Sequence, residues 1–256
     1  MTQIPPDKNN EDSFVMKMSK KMTRIAVVGN VDAGKSTLIG CLTSGMLDNG
    51  RGHCRSTIMK HQHEMDSGRT SSIGVHLLGY DENNWSITMP LQMKPKSESS
   101  KHQLKKKHSE DEIALESHHV VSLFDLAGHE KYLKTTISGI SKGMIDYALV
   151  LVNSNHPPTH MTMEHISLCS SVGIPIIIVM TKIDSCPEHA MKRTKEDVFN
   201  ILRSPGIQKK PFYVRNVDDV AIVVDKTSSL SVSTSCIVQN FICELLFQHI
   251  YLFLDS

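Results

Sequence analysis

The stretch Arg24-Ile-Ala-Val-Val-Gly-Asn-Val-Asp-Ala-Gly-Lys-Ser-Thr37 decides the fold of this chain. It opens with a short apolar run rich in β-branched residues, which is typical of a strand buried on both faces of a sheet. The next residues, 29–36, match the pattern G-x-x-x-x-G-K-[ST], and a segment of helical character follows over 35–43. A buried strand, a glycine-rich turn and a helix in this order predict a loop that binds the phosphates of a nucleotide.

The residue types of this loop explain how it would hold phosphate. Glycine lets the backbone curl so that its N–H groups surround a β-phosphate, and the helix N-terminus adds a partial positive charge. The ammonium group of Lys35 would reach the β- and γ-phosphates, while the hydroxyl of Ser36 would bind Mg²⁺. The predicted nucleotide-binding residues of the loop are Gly29, Asn30, Asp32, Ala33, Gly34, Lys35, Ser36 and Thr37.

Apolar runs of the same kind recur along the chain, at residues 120–124, 147–152 and 174–180. Segments long enough for helices lie between and after them, at residues 129–143, 161–172 and 188–204. Strands that alternate with helices predict a mostly parallel sheet with helices on both faces. The predicted fold class is therefore α/β, in the form of a P-loop NTPase domain.

The composition is that of an ordinary soluble protein. The chain has 256 residues, of which 39% are hydrophobic, and 28 basic side chains against 27 acidic ones give a net charge of +1. This balance provides no general attraction to nucleic acid. The six cysteines form no C-x-x-C pair, and the polar N-terminus lacks the apolar run of a signal peptide. We expect a monomeric, cytoplasmic protein without a disulfide framework or a zinc site.

Three segments fall outside the pattern of strands and helices. Residues 1–23 show no periodicity and are expected to be a disordered lead-in to a single domain that spans 24–256. Between about 90 and 116 the chain is rich in Lys, Ser, His and Glu, which predicts a solvated insertion loop rather than an RNA contact. Residues 236–254 are apolar but interrupted by polar side chains, so a buried terminal strand and helix is favoured over a membrane span.

A second motif, Asp125-Leu-Ala-Gly128-His129, follows the apolar run 120–124. A carboxylate at the end of a neighbouring strand can approach Mg²⁺, either directly or through a water, so Asp125 is a candidate metal residue. Gly128 has no side chain, and its backbone N–H can therefore come close to a γ-phosphate. The imidazole of His129 is the candidate catalytic group, since it would orient the water that attacks the phosphate.

A third motif, Thr181-Lys182-Ile-Asp184, follows the last apolar run and selects the base. The carboxylate of Asp184 can accept hydrogen bonds from the N1–H and N2–H₂ groups of guanine, and the stem of Lys182 can lie along the plane of the base. Adenine lacks this pair of donors, which would leave a carboxylate unpaired. The motif therefore favours GTP and GDP, and an ATP-using P-loop enzyme is the weaker alternative.

The order of these three motifs resembles that of the translation-factor class of GTPases. Further stretches are similar to the GTP-binding protein 1/2 family of elongation-factor-like GTPases over roughly residues 24–220. The similar stretches are Val-Gly-Asn-Val-Asp-Ala-Gly-Lys-Ser-Thr at 28–37, Leu-Asp-Asn-Gly-Arg-Gly at 47–52, Ser-Gly-Arg-Thr-Ser-Ser at 67–72 and Asp-Leu-Ala-Gly-His-Glu-Lys-Tyr-Leu-Lys-Thr-Thr at 125–136.

The resemblance implies a function and some residue roles. It implies hydrolysis of GTP to GDP and phosphate by a molecular switch, with slow turnover unless a partner such as the ribosome or RNA is present. It also implies that Thr70 lies in the first switch and binds Mg²⁺ beside Ser36 and Asp125, and that His129 is the water-positioning residue. Thr181 stands where the commoner motif has asparagine, and a hydroxyl offers fewer hydrogen bonds than an amide.

The chain also departs from the family. Relatives carry a glycine-containing element that supports the O6 atom of guanine, whereas residues 231–240 contain no glycine. The resemblance further implies β-barrel domains after the GTPase domain, but the sequence from about 225 onward is atypical and stops at 256. These departures keep open an alternative, a GTP-binding regulator or truncated form without useful hydrolysis.

Overall fold

The computed structural model of the chain describes residues 22–59, 64, 70, 73–82, 86–87, 109–142, 145–214, 219 and 234–238. Most of the predicted lead-in and of the predicted insertion loop lie outside these residues. Of the atypical end predicted from about residue 225, only 234–238 are described.

Seven strands form one sheet at the centre of the described structure. They are β1 (Met22–Gly29), β2 (Gly74–Tyr80), β3 (His119–Asp125), β4 (Tyr147–Asn153), β5 (Ile176–Thr181), β6 (Lys210–Val214) and β7 (Thr234–Val238). Their spatial order is β2-β3-β1-β4-β5-β7-β6. β2 is antiparallel to β3, and the other neighbouring pairs are parallel, which confirms the predicted mostly parallel sheet.

Helices alternate with these strands along the chain. The described helices are α1 (Lys35–Ser44), α2 (His53–Ser56), α3 (Glu110–Glu116), α4 (Leu133–Lys142), α5 (His160–Val172) and α6 (Glu188–Arg203). A 3₁₀ turn at Glu130–Tyr132 precedes α4. Glycine ends two of these helices, since Gly45 after α1 and Gly173 after α5 both adopt the left-handed conformation that closes a helix.

Buried side chains cover both faces of the sheet. Along β1, Ile25 and Val27 belong to one apolar cluster, whereas Ala26 and Val28 belong to a second one. Successive residues of a strand point to opposite faces, so the two clusters lie on opposite sides of the sheet. The run of sequence 24–28 is apolar throughout because both of its faces are buried.

The register of the parallel strands brings the three sequence motifs to one edge of the sheet. β1 lies between β3 and β4, with Val27 paired to Asp125 and Gly29 paired to Leu151. β5 lies beside β4, with Thr181 paired to Asn153. Since the carboxyl ends of parallel strands meet at the same edge, the loops that follow β1, β3 and β5 open side by side there.

The structure corrects several predicted boundaries. β1 begins at Met22, inside the predicted lead-in 1–23. The end of the predicted insertion loop 90–116 is a helix, α3, because Ser109 and Glu112 form a reciprocal capping box that starts it. β5 begins at Ile176 rather than at residue 174, since Pro175 has no N–H to donate to a neighbouring strand.

Two strands, β2 and β6, have no counterpart in the sequence-based prediction. β2 reads GVHLLGY, and its glycines weaken the local preference for a strand. It forms through its antiparallel pairing with β3. β6 contains Pro211 and is the last strand in the sheet order, the edge position at which a proline is tolerated.

No helix within the described ranges is both long enough and apolar enough to cross a bilayer. Of the apolar stretch 236–254, only 236–238 are described, and they belong to β7. The helix predicted after that strand lies outside the described residues.

The helix α5 carries a buried histidine, His165, on the side that faces the core. His165 is 0% exposed, and neither ring nitrogen has a hydrogen-bond partner among the described residues. Burial, with a smaller contribution from the charge of Lys35, lowers the pKa of His165 to about 4 from its ordinary value of 6.5. The folded protein therefore holds this imidazole neutral at pH values where an unfolded chain would protonate it.

We expect the stability of the protein to fall as the pH decreases from 6.5 to 4, because the unfolded state binds the His165 proton and the folded state does not. The shift in pKa corresponds to a loss of about 3 kcal/mol across this interval. Thermal unfolding at several pH values should show a smaller loss of Tm for His165→Met than for the wild type. His189→Met, which changes an exposed histidine of α6, should retain the wild-type slope. Equal slopes for all three proteins would contradict the assignment.

Candidate functional site

The loop between β1 and α1 has the backbone conformation that its motif requires. Gly29 and Gly34 have φ angles of 144° and 91°. A Cβ atom at Gly29 would lie 2.4 Å from the carbonyl oxygen of Leu151 in β4. Asp32 adopts a φ of 60°, which costs a non-glycine residue roughly 1–2 kcal/mol. The loop therefore lies against β4 in a strained conformation, as is common at ligand-binding sites.

Lys35 is buried inside this loop. Its side chain is 7% exposed, and Nζ donates to the carbonyl oxygens of Gly29 at 3.1 Å and of Asn30 at 3.0 Å. Burial lowers the pKa of Lys35, while the nearby carboxylates of Asp125 and Asp32 act in the opposite direction. The ammonium group thus lies at the centre of the loop, where a bound phosphate would be its natural counter-ion.

The three predicted metal residues form one hydrogen-bonded cluster. Ser36 Oγ donates to Asp125 Oδ2 at 2.7 Å and lies 2.8 Å from Thr70 Oγ1. Thr70 Oγ1 is in turn 3.2 Å from Asp125 Oδ2. These residues come from α1, β3 and a segment between them, so the sequence motifs that predicted them are brought together by the fold.

Asp125 carries the negative charge of this cluster. It is 3% exposed, and burial raises its pKa in spite of Lys35, Ser36 and Thr70, each of which acts to lower it. Its Oδ1 atom is buried without a hydrogen-bond partner among the described residues. An unpaired carboxylate oxygen beside two hydroxyls is the kind of hard-oxygen set that Mg²⁺ binds, so the residues present fit this ion.

Gly128 and His129 approach the phosphate loop from the end of β3. A Cβ atom at Gly128 would lie 2.4 Å from both Gly29 O and Lys35 Nζ, so only glycine fits here. His129 is exposed, and its Nδ1 accepts a hydrogen bond from the backbone N–H of Lys131 at 3.1 Å. This bond fixes the orientation of the ring relative to the turn that follows β3.

Thr181 connects the base-selecting motif to the phosphate loop. Its Oγ1 lies 2.9 Å from Ala33 O and 3.2 Å from Val152 O. A hydroxyl has a single proton and can satisfy only one of these acceptors at a time. Lys182, the next residue, has a φ of 56° and an exposed side chain. Asp184 is also exposed, at the surface of the same loop.

A cavity of about 160 Å³ lies over the phosphate loop. Nine of the predicted residues line it, together with two that the sequence did not suggest, Val31 and Arg55. The predicted residues that line it are Asp32, Gly34, Lys35, Ser36, Thr37, Thr70, Gly128, His129 and Lys182. The cavity is smaller than the ~300 Å³ expected of a whole ligand site, so it would accommodate only part of a nucleotide.

Six predicted residues do not line the cavity. Gly29, Asn30, Ala33 and Thr181 shape the loop through the contacts described above, and Asp125 lies behind Ser36 and Thr70. Asp184 is exposed on the loop after β5, the loop that is predicted to select the base. Arg55 belongs to no motif that indicates phosphate binding, and its position on α2 places it at the cavity.

The fold is a mostly parallel sheet with helices on its faces, and its first strand leads into a phosphate loop. A buried carboxylate lies at the end of the adjacent strand. Together these features define a P-loop NTPase domain. Residues 20–251 match the family model of the elongation factor Tu GTP-binding domain, and the chain belongs to this family. The domain is therefore of the translation-factor-like GTP-binding type.

Comparison with known proteins confirms the resemblance to the GTP-binding protein 1/2 family. GTP-binding protein 1 of Xenopus laevis is 42% identical over 206 residues, covering 80% of this chain and 30% of that protein. GTP-binding protein 2 of Homo sapiens is 40% identical over 196 residues, covering 77% of this chain and 30% of that protein. The chain thus spans less than a third of the length of these relatives. The solved structure of bacterial selenocysteine-specific elongation factor EF-Sec aligns with a TM-score of 0.48 and 18% identity, over 85% of this chain and 26% of that one.

We expect Thr181→Val to lower the free energy of unfolding by about 1 kcal/mol, because it leaves Ala33 O or Val152 O without its hydrogen-bond donor. Urea denaturation of the nucleotide-free chain measures this loss. Thr43→Val is the matched control, since among the described residues the Thr43 hydroxyl bonds only to carbonyls of its own helix, at 2.9 Å and 3.4 Å. If both variants lose the same amount, the Thr181 bond does not connect the two loops energetically.

Proposed function

We propose that this chain binds GTP together with Mg²⁺ and hydrolyses GTP to GDP and phosphate, as a switch of the translation-factor type. The observation that carries the proposal is the hydrogen-bonded cluster of Ser36, Thr70 and Asp125, in which Ser36 and Thr70 line the cavity and Asp125 lies behind them. Membership of the elongation factor Tu GTP-binding domain family supports it. The proposed partner is the ribosome or RNA, because the chain resembles translation factors.

The phosphate loop is proposed to bind the phosphates through its backbone and Lys35. Lys35 Nζ now donates to two loop carbonyls, and a phosphate oxygen would replace one of them as its acceptor. The N-terminus of α1 adds a partial positive charge at the same place. A buried ammonium gains more from a phosphate than an exposed one does, because little water screens the pair.

Ser36, Thr70 and Asp125 are the residues that would hold Mg²⁺. The unpaired Oδ1 of Asp125 supports this assignment, since a buried carboxylate oxygen without a partner is costly. When bound, the ion neutralises charge that develops on the phosphate oxygens. The hydroxyls of Ser36 and Thr70 would give up their present bonds to Asp125 on binding.

His129 is proposed to orient the attacking water. Its Nδ1 is an acceptor from Lys131 N–H, so a neutral ring carries its proton on Nε2. Nε2–H can then donate to the oxygen of a water at the cavity, and the other lone pair of that oxygen attacks the γ-phosphorus as the bond to departing GDP breaks. The proton that the water loses would pass to an oxygen of the transferred phosphate, since this ring has no free acceptor. The exposed position of His129 lets a partner surface complete or shield this arrangement.

Loss of the γ-phosphate is proposed to act on two segments that meet at the cavity. Thr70 is connected to the described structure through hydroxyl bonds to Ser36 and Asp125. Gly128 lies directly against the phosphate loop. Both segments lose a ligand contact when phosphate leaves, and their rearrangement would change the surface that a partner binds.

A GTP-binding regulator without useful hydrolysis is the second candidate. The observation that favours it is the exposure of His129, whose Nδ1 bonds to the backbone of its own turn. A ring held in solvent positions a water less firmly than a buried one does. In this case the chain would bind GTP tightly and release phosphate no faster than free GTP does.

We expect the full chain with GTP and Mg²⁺ to release phosphate slowly, and faster when ribosomes are added. His129→Ala should lower the stimulated rate by 10²-fold or more, the usual contribution of a positioned catalytic group. His118→Ala, at an exposed histidine remote from the cavity, should retain the wild-type rate. Full stimulated turnover by His129→Ala would exclude the catalytic role, and tight binding without turnover would favour the regulator.

We expect Asp184→Asn to weaken GTP binding and to strengthen the binding of xanthosine triphosphate. Xanthine has a carbonyl where guanine has its N2 amino group, so an amide can donate to it while still accepting from N1–H. Competition against a fluorescent GTP analogue measures both affinities. Glu196→Gln, an equivalent change at an exposed site on α6, is the control. Unchanged preference for guanine would show that Asp184 does not read the base.

A further inference from the structure

Arg55 is a cavity residue that belongs to none of the nucleotide-binding motifs. It lies on α2 and lines the same cavity as Ser36, Thr70 and Gly128. Its guanidinium forms no ion pair with a carboxylate of the described residues. A permanent positive charge at a phosphate cavity, without an acidic partner in the described structure, is available for an anionic ligand.

The loop before α2 holds Arg55 in place. Burial acts to raise the pKa of Asp48, but the backbone N–H groups of Cys54, Gly52 and Gly50 outweigh this and hold the pKa below its usual value. The three N–H groups donate to the Asp48 carboxylate at 2.8, 3.3 and 2.9 Å respectively. The neighbouring Asn49 accepts two more backbone bonds in the same turn. One acidic and one amide side chain thus fix the turn that leads into α2, the helix that carries Arg55.

Close packing connects α2 to the helix of the phosphate loop. A Cβ atom at Gly40, on α1, would lie 2.2 Å from the carbonyl oxygen of Cys54, so the two helices touch at their backbones. The Cys54 side chain is 0% exposed. Since α1 begins at Lys35, the backbone of Arg55 is held at a fixed distance from the phosphate loop.

The Arg55 side chain packs against Gly52, the residue that precedes α2. A Cβ atom at Gly52 would lie 2.5 Å from Arg55 Nε and 3.0 Å from Cζ, and Gly52 has a φ of 81°. A glycine therefore leaves room for the guanidinium. The turn sequence Leu-Asp-Asn-Gly-Arg-Gly at 47–52 serves two purposes, since its acidic residue fixes α2 and its last glycine accommodates Arg55.

We propose that Arg55 binds the terminal phosphate of GTP, donating guanidinium N–H groups to its non-bridging oxygens. This inference rests on the proposed function and adds to it a charged residue supplied by the chain itself. Arg55 shares the cavity with Thr70, Gly128 and His129, the residues proposed to surround the γ-phosphate. A planar guanidinium matches two phosphate oxygens, and it retains its charge at every physiological pH.

The test is the affinity of the full chain, with Mg²⁺, for a fluorescent non-hydrolysable GTP analogue and for the matching GDP analogue. Arg55→Ala should weaken binding of the GTP analogue by about tenfold or more and that of GDP by much less, because a charge-assisted bond to the γ-phosphate is lost. Arg55→Lys should give an intermediate loss, since a point charge replaces the planar pair of donors.

Arg51→Ala is the matched control, because Arg51 lies in the same turn, is exposed and does not line the cavity. It should bind both analogues as the wild type does. Tm is measured for each variant without nucleotide, so that a loss of structure is recognised. A loss of affinity for GTP alone, at unchanged Tm, supports the proposal.

Equal losses for GTP and GDP, no loss, or a loss that follows Tm would each overturn the role of Arg55. Arg55→Gln, which retains the length and polarity of the side chain without its charge, gives a second comparison if Arg55→Ala folds poorly. Failure of the wild type to bind either analogue would instead refute the proposed function itself, so the two failures are distinguishable.

Discussion

The hydrogen bond of 2.7 Å from Ser36 Oγ to Asp125 Oδ2 connects the phosphate loop to the neighbouring strand, and the rest of the site depends on it. It exists because β1 and β3 are adjacent and parallel, with Val27 opposite Asp125. Burying the Asp125 carboxylate is costly, and Lys35 and two hydroxyls offset only part of that cost, since Oδ1 has no partner in the described structure. A ligand that supplies a cation and phosphate there would therefore bind and stabilise the fold together.

The parts of the site that were predictable from the sequence are those whose chemistry is local. The phosphate loop, Asp125-x-x-Gly128 and the Thr181 motif each follow an apolar run, and a parallel sheet brings the ends of such runs together. β2 and β6 were not predictable, because pairing with β3 and an edge position stabilise them more than their own composition does. Arg55 was not predictable as a cavity residue, because its place depends on the contact of α2 with α1 as well as on the Asp48 turn.

The two ends of the site are built on different physical principles. At the proposed phosphate end the charged groups of Lys35 and Asp125 are buried, and the partly buried Ser36 donates a hydrogen bond to Asp125. The proposed base end is open, because Lys182 and Asp184 are exposed on a loop. Electrostatic interactions are weaker where water screens them, so phosphate contacts should supply most of the affinity and the base loop most of the selectivity. Thr181 joins the two ends through a single hydroxyl shared between Ala33 O and Val152 O.

The segments around the cavity differ in how firmly they are held, and this difference suits a switch. Arg55 is held by the Asp48 turn and by the backbone contact between α1 and α2. Within the described structure the Thr70 hydroxyl lies 2.8 Å from Ser36 Oγ and 3.2 Å from Asp125 Oδ2, and its single proton serves one of them, in a bond worth about 1 kcal/mol. Ligand binding would have to break only this one bond to move the Thr70 hydroxyl, so its contacts can change without disturbing the loop beneath. The proposed contact between Arg55 and the phosphate would stay in place while the contacts of the Thr70 hydroxyl change.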